Sequence, residues 1–295
     1  MIDFIQVAVS GLLLGGVYAL LSVGLTLIFG VVRIINFAHG ELLMIGMYIT
    51  YLLFASIGLN PYLSVVIVAP ALFLIGMVIQ RLVIQPIQEA SAMMKIFATC
   101  GLFIVLQNLA LMIFRGDYRT IQMGMSMATI SFSGVSVSLP RLVAFVAALI
   151  IFGMLYLMLQ YTFVGKALRA LAESRPMAQL MGIRVHRLNL LAFGIGAALT
   201  GIAGAFLLPF TYVYPTIGGI YTLVAFVVVV LGGLGNMVGA FLGGIFIGLI
   251  ESFSGTYISP ALKEATYFVI FILILLVRPQ GLFGMGKGTE EVGLK

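Results

Sequence analysis

Three polar side chains in one short stretch are the first candidates for chemistry. Asn36, His39 and Glu41 lie within Arg33–Glu41 (RIINFAHGE), which separates two long apolar runs. One histidine with one glutamate supplies too few ligands for a zinc or iron site. Histidine titrates near neutral pH, but no chain of further titratable groups extends from it, so a structural break is favoured over a proton relay. We expect the three side chains to hydrogen-bond one another and the exposed backbone of that break.

A phosphate-loop spacing near the end of the chain fails at its last position. In Gly281–Gly288 (GLFGMGKG), Lys287 is correctly placed, but Gly288 stands where Ser or Thr would bind Mg²⁺. A phosphate loop also follows a buried strand, whereas this segment follows an apolar run and Pro279. The sequence contains no GxSxG or HExxH pattern either. We therefore predict that the chain is not an enzyme and itself binds no ATP, cofactor or metal.

The segment Gly165–Arg187 (GKALRALAESRPMAQLMGIRVHR) is the only long interruption between apolar runs that is both strongly charged and helix-forming. It contains one acid, Glu173, and five basic residues: Lys166, Arg169, Arg175, Arg184 and Arg187. Lysines and arginines in a short loop beside membrane segments indicate the cytoplasmic side.

A short helix is predicted inside this segment. Ser174 suits the N-cap, Pro176 suits the first turn, and Gly182 suits termination, which gives a helix over Pro176–Met181. The segment is either an ordinary basic loop or a docking element for a cytoplasmic partner.

Composition identifies the elements that must position these residues. The chain has 295 residues, of which 62% are hydrophobic and only 8% charged, against about 25% charged in soluble domains. Continuous apolar runs predict helices, since barrel strands would alternate polar and apolar residues. We predict an all-α polytopic integral membrane protein, with residues 1–295 forming a single transmembrane domain. The net charge of +6 is attributed to topology and anionic lipid headgroups, not to nucleic acid.

Eight membrane elements are predicted, one of them a Gly-broken pair. They cover about 4–30, 41–58, 62–84, 93–114, 142–160, 188–212, the pair within 218–254, and 262–277. With 161–187 inside, alternation places eleven of the fifteen lysines and arginines inside. The other four are Arg115, Arg119, Arg141 and Lys263. This distribution supports the orientation, provided that the pair crosses twice with a turn near Gly232–Gly235.

The segment Arg115–Arg141 differs from the other connections because it is rich in Ser, Thr and Gly. It is too polar to span a membrane and favours strands. We predict an extracytoplasmic loop with a short strand pair that could contact an external protein; a floppy loop is the alternative.

Small residues spaced by four predict close helix packing. The rows are Gly235, Gly239 and Gly243, and Ala240, Gly244 and Gly248. Another helix is marked by Gly194, Gly196, Gly201 and Gly204.

Four stretches together resemble the LivH-type permease subunits of the branched-chain amino acid ABC importer family. They are 33–48 (RIINFAHGELLMIGMY), 165–183 (GKALRALAESRPMAQLMGI), 229–244 (VVLGGLGNMVGAFLGG) and 278–284 (RPQGLFG). The resemblance covers essentially the whole chain. It departs at Ser174-Arg175, where an acidic or amide residue often follows the glutamate.

The resemblance implies a type II ABC importer permease-like fold in the cell (inner) membrane. It implies that 165–187 is a coupling loop that inserts into a groove of an ATPase subunit. The implied residues of this loop are Arg169, Glu173, Pro176, Ala178, Gly182, Arg184 and Arg187. It further implies a second, similar permease chain, two ATP-binding subunits that hold ATP and Mg²⁺, and an extracytoplasmic substrate-binding protein.

On this reading the translocation path runs beside two groups of residues. The candidates are Asn36, His39 and Glu41, and Gly232, Gly235 and Asn236. Apolar surroundings suit leucine, isoleucine or valine, while urea, short-chain amides and other amino acids remain alternatives. Rival hypotheses of another class are a self-sufficient secondary transporter or channel, and an intramembrane enzyme using His39 with Glu41.

Overall fold

The computed structural model describes residues 2–121, 128–132 and 135–283. Residues 122–127 and 133–134 of the predicted extracytoplasmic loop lie outside the described residues. Residues 284–295, which contain Lys287, Gly288 and Lys295, also lie outside them.

Helices dominate this part of the chain, as the apolar runs predict. The helices are α1 (Ile2–Val32), α2 (His39–Ile57), α3 (Pro61–Ile79), α4 (Ala92–Phe114), α5 (Leu139–Tyr161), α6 (Phe163–Glu173), α7 (Arg175–Leu180), α8 (Val185–Leu207), α9 (Ile217–Gly232), α10 (Met237–Tyr257) and α11 (Lys263–Val277). A π-helical turn (Gln80–Ile84) and a 3-10 turn (Gln85–Ile87) continue α3, and the 3-10 turn Leu208–Phe210 follows α8.

Seven of these helices are long and apolar enough to cross a membrane, and α9 is a shorter apolar helix of 16 residues. The predicted all-α polytopic architecture is therefore confirmed. The pair within 218–254 consists of α9 and α10, separated by a turn at 233–236 as predicted. The two largest differences at helix starts are three residues each: α5 begins at Leu139, with Pro140 in its first turn, and α8 begins at Val185, which places Arg187 on a helix rather than in a loop.

Helix α1 forms the centre of the bundle and packs against α5, α8, α9 and α10. Its tightest partner is α10. Gly244 of α10 lies against Ala19, and Gly248 lies against Gly15, with too little room for a side chain in place of either α10 glycine. The other row on α10 faces a different helix, because Gly239 lies against Gly232 of α9. The spacing by four thus serves close approach of backbones, as predicted.

Contacts between loops distinguish the two ends of the bundle. On one end, which we call the hairpin side, strands β1 (Thr129–Phe132) and β2 (Val135–Ser138) form an antiparallel hairpin. The Gln6 side chain near the start of α1 bonds the backbone of Ser136. The strand pair predicted in this loop is therefore present.

The opposite end, which we call the α7 side, holds the basic segment. Here Arg33, just after α1, donates to the Ala172 carbonyl of α6 at 3.1 Å. Arg175 of α7 lies 3.2 Å from Glu89 in the connection between α3 and α4. Arg33 at the end of α1, the connection 81–95 and the segment 161–187 thus meet on one side, as predicted by alternation with the basic loops inside.

Two helices begin in the interior of the bundle rather than at its ends. Helix α2 follows the non-helical stretch 33–38, and its first residue, His39, contacts the Leu21 carbonyl in the middle third of α1. Helix α9 follows the non-helical stretch 211–216, and its Tyr221 packs edge-on against Tyr18 of α1. From there α2 runs to the hairpin side and α9 to the α7 side. Discontinuous helices of this kind build the solute sites of many transporters.

Candidate functional site

The short helix α7 has the ends that the sequence predicts. Ser174 has extended backbone angles, and its hydroxyl accepts from the Met177 N–H at 3.4 Å, which makes it the N-cap. Pro176 lies in the first turn, where no N–H is needed. Gly182 has a φ of +78° and ends the turn, with its N–H donating to Gln179 at 2.9 Å. The predicted helix over Pro176–Met181 is observed one residue earlier, at Arg175–Leu180.

Three large apolar side chains of this segment project from the α7 side. Met177 is 65% exposed, and Leu180 and Met181 are each 81% exposed. They stand in positions i, i+3 and i+4, so that they share one face. Exposed apolar side chains beside arginines on an aqueous surface indicate a protein contact. These three side chains were not predicted from the sequence, although their spacing inside a basic loop is a usable signal.

The coupling residues implied by the resemblance divide into exposed and buried sets. Those exposed are Arg169, Glu173, Pro176, Gly182, Arg184 and Arg187. Ala178 is only 3% exposed and packs into its own chain. Ala178 therefore supports α7 from beneath in this chain.

Helix α6 attaches this segment to the bundle. Ala167, Leu168 and Leu171 form its buried face, while Arg169 on the other side donates to the Gln160 carbonyl at the end of α5 at 3.2 Å. The geometry fixes α6 to α5 and leaves α7 at the outermost point.

Arg33 links α6 to the break that precedes α2. Its φ of +56° is unusual for a residue with a side chain, and its guanidinium lies 3.1 Å from the Ala172 carbonyl and 3.5 Å from the Glu173 carbonyl. These carbonyls end α6, where a cation is favourable. Arg33 therefore ties the end of α6 to the start of the stretch 33–38.

The three polar residues of that stretch and the start of α2 are fully buried. Asn36, His39 and Glu41 are each 0% exposed. The Asn36 carboxamide oxygen accepts from the Ala38 N–H at 3.1 Å. In contrast to the prediction that the three bond one another, the observed partners are backbone groups and a threonine.

His39 joins three helices through one ring nitrogen. Its Nε2 lies 3.0 Å from the Leu21 carbonyl of α1 and 2.9 Å from the Thr200 hydroxyl of α8. Thr200 itself donates to the Gly196 carbonyl at 2.8 Å, so both neighbours of Nε2 act as acceptors. We therefore assign the hydrogen of the neutral imidazole to Nε2.

The first turns of α2 and α9 touch through their glycines. A Cβ on Gly40 would collide with the Gly218 carbonyl. The Gly40 N–H donates to the Thr222 hydroxyl at 2.9 Å, and that hydroxyl lies 3.3 Å from the Phe37 carbonyl. We call this contact of Gly40, Glu41, Gly218 and Thr222 the interior junction.

Glu41 places a carboxyl group where two helix N-termini meet. Its side chain lies against Gly218, in the first turn of α9, and belongs to the first turn of α2. Within the described residues, neither carboxyl oxygen has a hydrogen-bond partner. Helix N-termini carry partial positive charge, which favours an anion at this position. A buried ionisable group inside a membrane bundle marks a functional site.

The second predicted group lies elsewhere. Gly232, Gly235 and Asn236 form the turn between α9 and α10 on the α7 side, where Gly235 approaches Gly30 near the end of α1. Asn236 caps α10 by accepting from Gly239 at 3.0 Å. The structure therefore does not bring this group together with the interior junction.

The stretch after α11 closes over this turn. The Asn236 amide donates to the Phe283 carbonyl at 2.8 Å, and the Leu282 N–H donates to the Leu231 carbonyl at 2.7 Å. Gly281 has a φ of +81°, and a Cβ there would meet the Val230 carbonyl. The motif at 278–284 is thus a clasp on α9 as far as Phe283; Gly284 lies outside the described residues.

A second buried carboxyl group escaped the sequence analysis. Glu251 is the one charged residue of α10, and it is 8% exposed. It accepts from the Tyr18 hydroxyl at 2.6 Å and from the Lys263 ammonium at 2.8 Å. A lone acid in an apolar run is the signal that could have found it.

Comparisons with known proteins agree on one family. Residues 7–277 match the family described as branched-chain amino acid transport system / permease component. The high-affinity branched-chain amino acid transport system permease protein LivH of Salmonella typhimurium and that of Escherichia coli are each 32% identical to this chain over 304 residues. The corresponding protein BraD of Pseudomonas aeruginosa is 32% identical over 294 residues. Each alignment covers 95% of this chain and 96% of the relative. No solved structure matches the chain.

Proposed function

Because the chain belongs to the branched-chain amino acid transport permease family, we propose that it imports leucine, isoleucine and valine as the membrane-spanning subunit of an ATP-driven complex. It is a multi-pass protein of the cell (inner) membrane and a transporter component rather than an enzyme. The relatives are named for branched-chain amino acid transport, which supports this substrate class.

The observation that carries the proposal is the apolar face of α7. Met177, Leu180 and Met181 project from the side on which the basic loops collect, and Arg184 lies just beyond them. Apolar anchors rimmed by arginine are typical of protein interfaces. On the proposed function, this face enters a groove of an ATP-binding subunit, and Arg169, Arg184 and Arg187 pair with acids around it.

The contacts of Arg33 supply a route from α7 to the membrane interior. Closure of the ATP-binding subunits would move α6 and α7, and the guanidinium of Arg33 would carry that motion to the stretch 33–38. This stretch leads to Gly40 and Glu41 at the interior junction, which then opens or closes between α2 and α9. The path therefore runs beside Asn36, His39 and Glu41, while Gly232, Gly235 and Asn236 serve α9 as its support on the α7 side.

The complex would contain further chains. The family of ABC importers works with ATPase and binding-protein partners in general. We propose a second homologous permease, two ATP-binding subunits that hold ATP and Mg²⁺, and a binding protein that docks on the hairpin side. This chain then needs no cofactor of its own.

The test replaces the apolar face in the assembled complex. Leu180→Ser with Met181→Ser should lower leucine uptake and leucine-stimulated ATP hydrolysis in proteoliposomes by about tenfold or more, since buried interface anchors each contribute 2 kcal/mol or more. Ile57→Ser removes a similarly exposed apolar side chain at the hairpin end of α2 (67% exposed) and is the matched control. Unchanged coupling in the double variant would refute the docking role.

A self-sufficient transporter or channel makes the opposite prediction. It would carry leucine in liposomes that contain this chain without any ATP-binding subunit, driven by a gradient. Uptake of urea or short-chain amides, but not leucine, by the full complex would instead reassign the substrate.

A further inference from the structure

A cavity of about 680 Å³ opens among the loops of the hairpin side. It is enclosed by α1 and α10, with contributions from the start of α5, the end of α8 and the start of α11. Its volume falls within the range of small-molecule sites, roughly 300–1,000 Å³. It lies entirely within this chain.

The floor of the cavity carries a buried carboxyl group with two partners. Glu251 accepts from Tyr18 and from Lys263. The Lys263 side chain is 42% exposed and lines the cavity. An ion pair that only fastened α10 to α11 would not need such a space over it.

A second cation lies on the wall. Arg141, at the start of α5, lines the cavity and holds its guanidinium 5.5 Å from the centre of the Phe210 ring. Among the described residues Arg141 makes no ion pair. Asp3 lines the cavity as well. The lining therefore contains two acids and two bases, so the cavity as a whole is neutral but offers both signs of charge.

We infer that this cavity is a binding site for a free amino acid in its zwitterionic form. The carboxylate of the ligand lies on Arg141, with which it forms the bidentate pair that guanidinium favours. Its ammonium group lies near Asp3, since the two oxygens of Glu251 already accept from Tyr18 and Lys263. Its aliphatic side chain lies against Leu14 and Leu207. The inference rests on the proposed function and names the first site that the solute meets in this chain.

The position of the cavity connects it to the interior junction. Tyr221 lines the cavity, and the next residue, Thr222, accepts from the Gly40 N–H at the junction. A ligand on the cavity floor therefore lies one residue away from the contact that joins α9 to α2. Occupancy of the cavity and the state of the junction are coupled through this turn.

The test measures protection of a cysteine in the cavity. Ser10 lines the cavity; Ser10→Cys in a Cys100→Ser background is labelled in the full complex with a membrane-impermeant thiol reagent. Leucine should slow the labelling, while leucinamide and 4-methylpentanoate, which each lack one of the two charges, should protect far less. Tyr118→Cys, an exposed position on the same side, is the control and should label equally with and without leucine.

A second set of variants tests the assigned charges. Arg141→Gln should raise the leucine concentration needed for protection about tenfold or more, because loss of one partner of a charged hydrogen-bonded pair costs roughly 2–5 kcal/mol. Arg141→Lys should retain part of the affinity for leucine that is lost in Arg141→Gln. Glu264→Gln removes an exposed acid of α11 outside the cavity and should change nothing.

Leucine uptake by the same vesicles separates this inference from the proposed function. If the complex transports leucine but leucine leaves Ser10→Cys unprotected, the cavity is not a solute site. Equal protection by the two singly charged analogues would also overturn the inference. If leucine protects the cysteine but is not transported, the proposed function fails and the site stands.

Discussion

At the scale of single residues, the interior junction depends on the absence of two side chains. Gly40 and Gly218 allow the first turns of α2 and α9 to touch, and Glu41 occupies the space that a side chain at position 218 would need. Residue types that are unremarkable in the sequence therefore decide whether two helix ends can meet.

We predict that Gly218→Ala destabilises the protein. The added methyl group would overlap the Glu41 carboxyl group, and overpacking of this kind costs about 1–3 kcal/mol. The apparent Tm, measured by size-exclusion chromatography after heating, should fall by several degrees. Gly153→Ala on α5, where nothing lies within contact of an added methyl group, should leave the Tm unchanged or raise it slightly. Equal behaviour of the two variants would contradict the contact.

The sequence predicted the ends of α7 but not what the helix exposes. Ser174, Pro176 and Gly182 act on the backbone of α7 itself, so their roles follow from local sequence. The exposure of Leu180 and the burial of Ala178 depend on how α6 packs on the bundle, which no local pattern contains. The same reason explains why the partners of His39, on α1 and α8, could not be foreseen.

At the scale of elements, the link between α6 and α2 passes through Arg33. Because φ at Arg33 is positive, most substitutions would add backbone strain to the loss of the guanidinium, and the two effects on transport could not be separated. Asparagine tolerates this conformation better than other non-glycine residues, so Arg33→Asn isolates the contribution of the guanidinium.

We predict that Arg33→Asn weakens coupling without preventing assembly. Loss of the bonds to Ala172 and Glu173 should lower transport per ATP hydrolysed by about two- to thirtyfold, which corresponds to coupling energies of 0.5–2 kcal/mol. The measurement is leucine uptake and phosphate release in the same proteoliposomes. Arg115→Asn, at the other described arginine with a positive φ (+59°), lies on the hairpin side and is the matched control away from α6. An unchanged ratio in Arg33→Asn would exclude this route.

The break before α9 shows a limit of hydropathy patterns. The interruption at 33–38 is visible because polar residues follow it, but 211–216 (TYVYPT) is aromatic and apolar apart from its threonines. The sequence pattern also predicted that Gly232–Asn236 lies beside the translocation path, like the stretch before α2. In the structure it is a turn on the α7 side. The depth at which a helix begins within the bundle is set by tertiary contacts, such as that of Tyr18 with Tyr221.

At the scale of the whole molecule, charge and packing give the same orientation. The basic loops gather on the α7 side, and the hairpin and the start of α1 gather on the other. The number of elements and their order followed from apolar runs, since each run must span the bilayer or return. The cavity near Glu251 could not be predicted from these runs, because its lining residues come from six separate parts of the chain.

We predict that impermeant thiol reagents distinguish these two sides. In the Cys100→Ser background, Tyr118→Cys should be labelled in intact cells, whereas Met181→Cys, which is 81% exposed, should be labelled only after the membrane is permeabilised. The physical basis is the excess of lysine and arginine on the α7 side. Labelling of Met181→Cys in sealed cells would invert the topology and remove the basis for docking to a nucleotide-hydrolysing partner.

The clasp over the α9–α10 turn has a consequence for how α9 is able to move. One end of α9 touches Gly40, and the other is held by Leu282, which bonds Leu231. A helix held at both ends cannot shift along its own axis without breaking both contacts, whereas a tilt about the clasp breaks only the contact with Gly40. Solute passage beside α9 is therefore expected to involve a change of angle, with the clasp as the pivot and the widest opening at Gly218, where α9 meets Gly40.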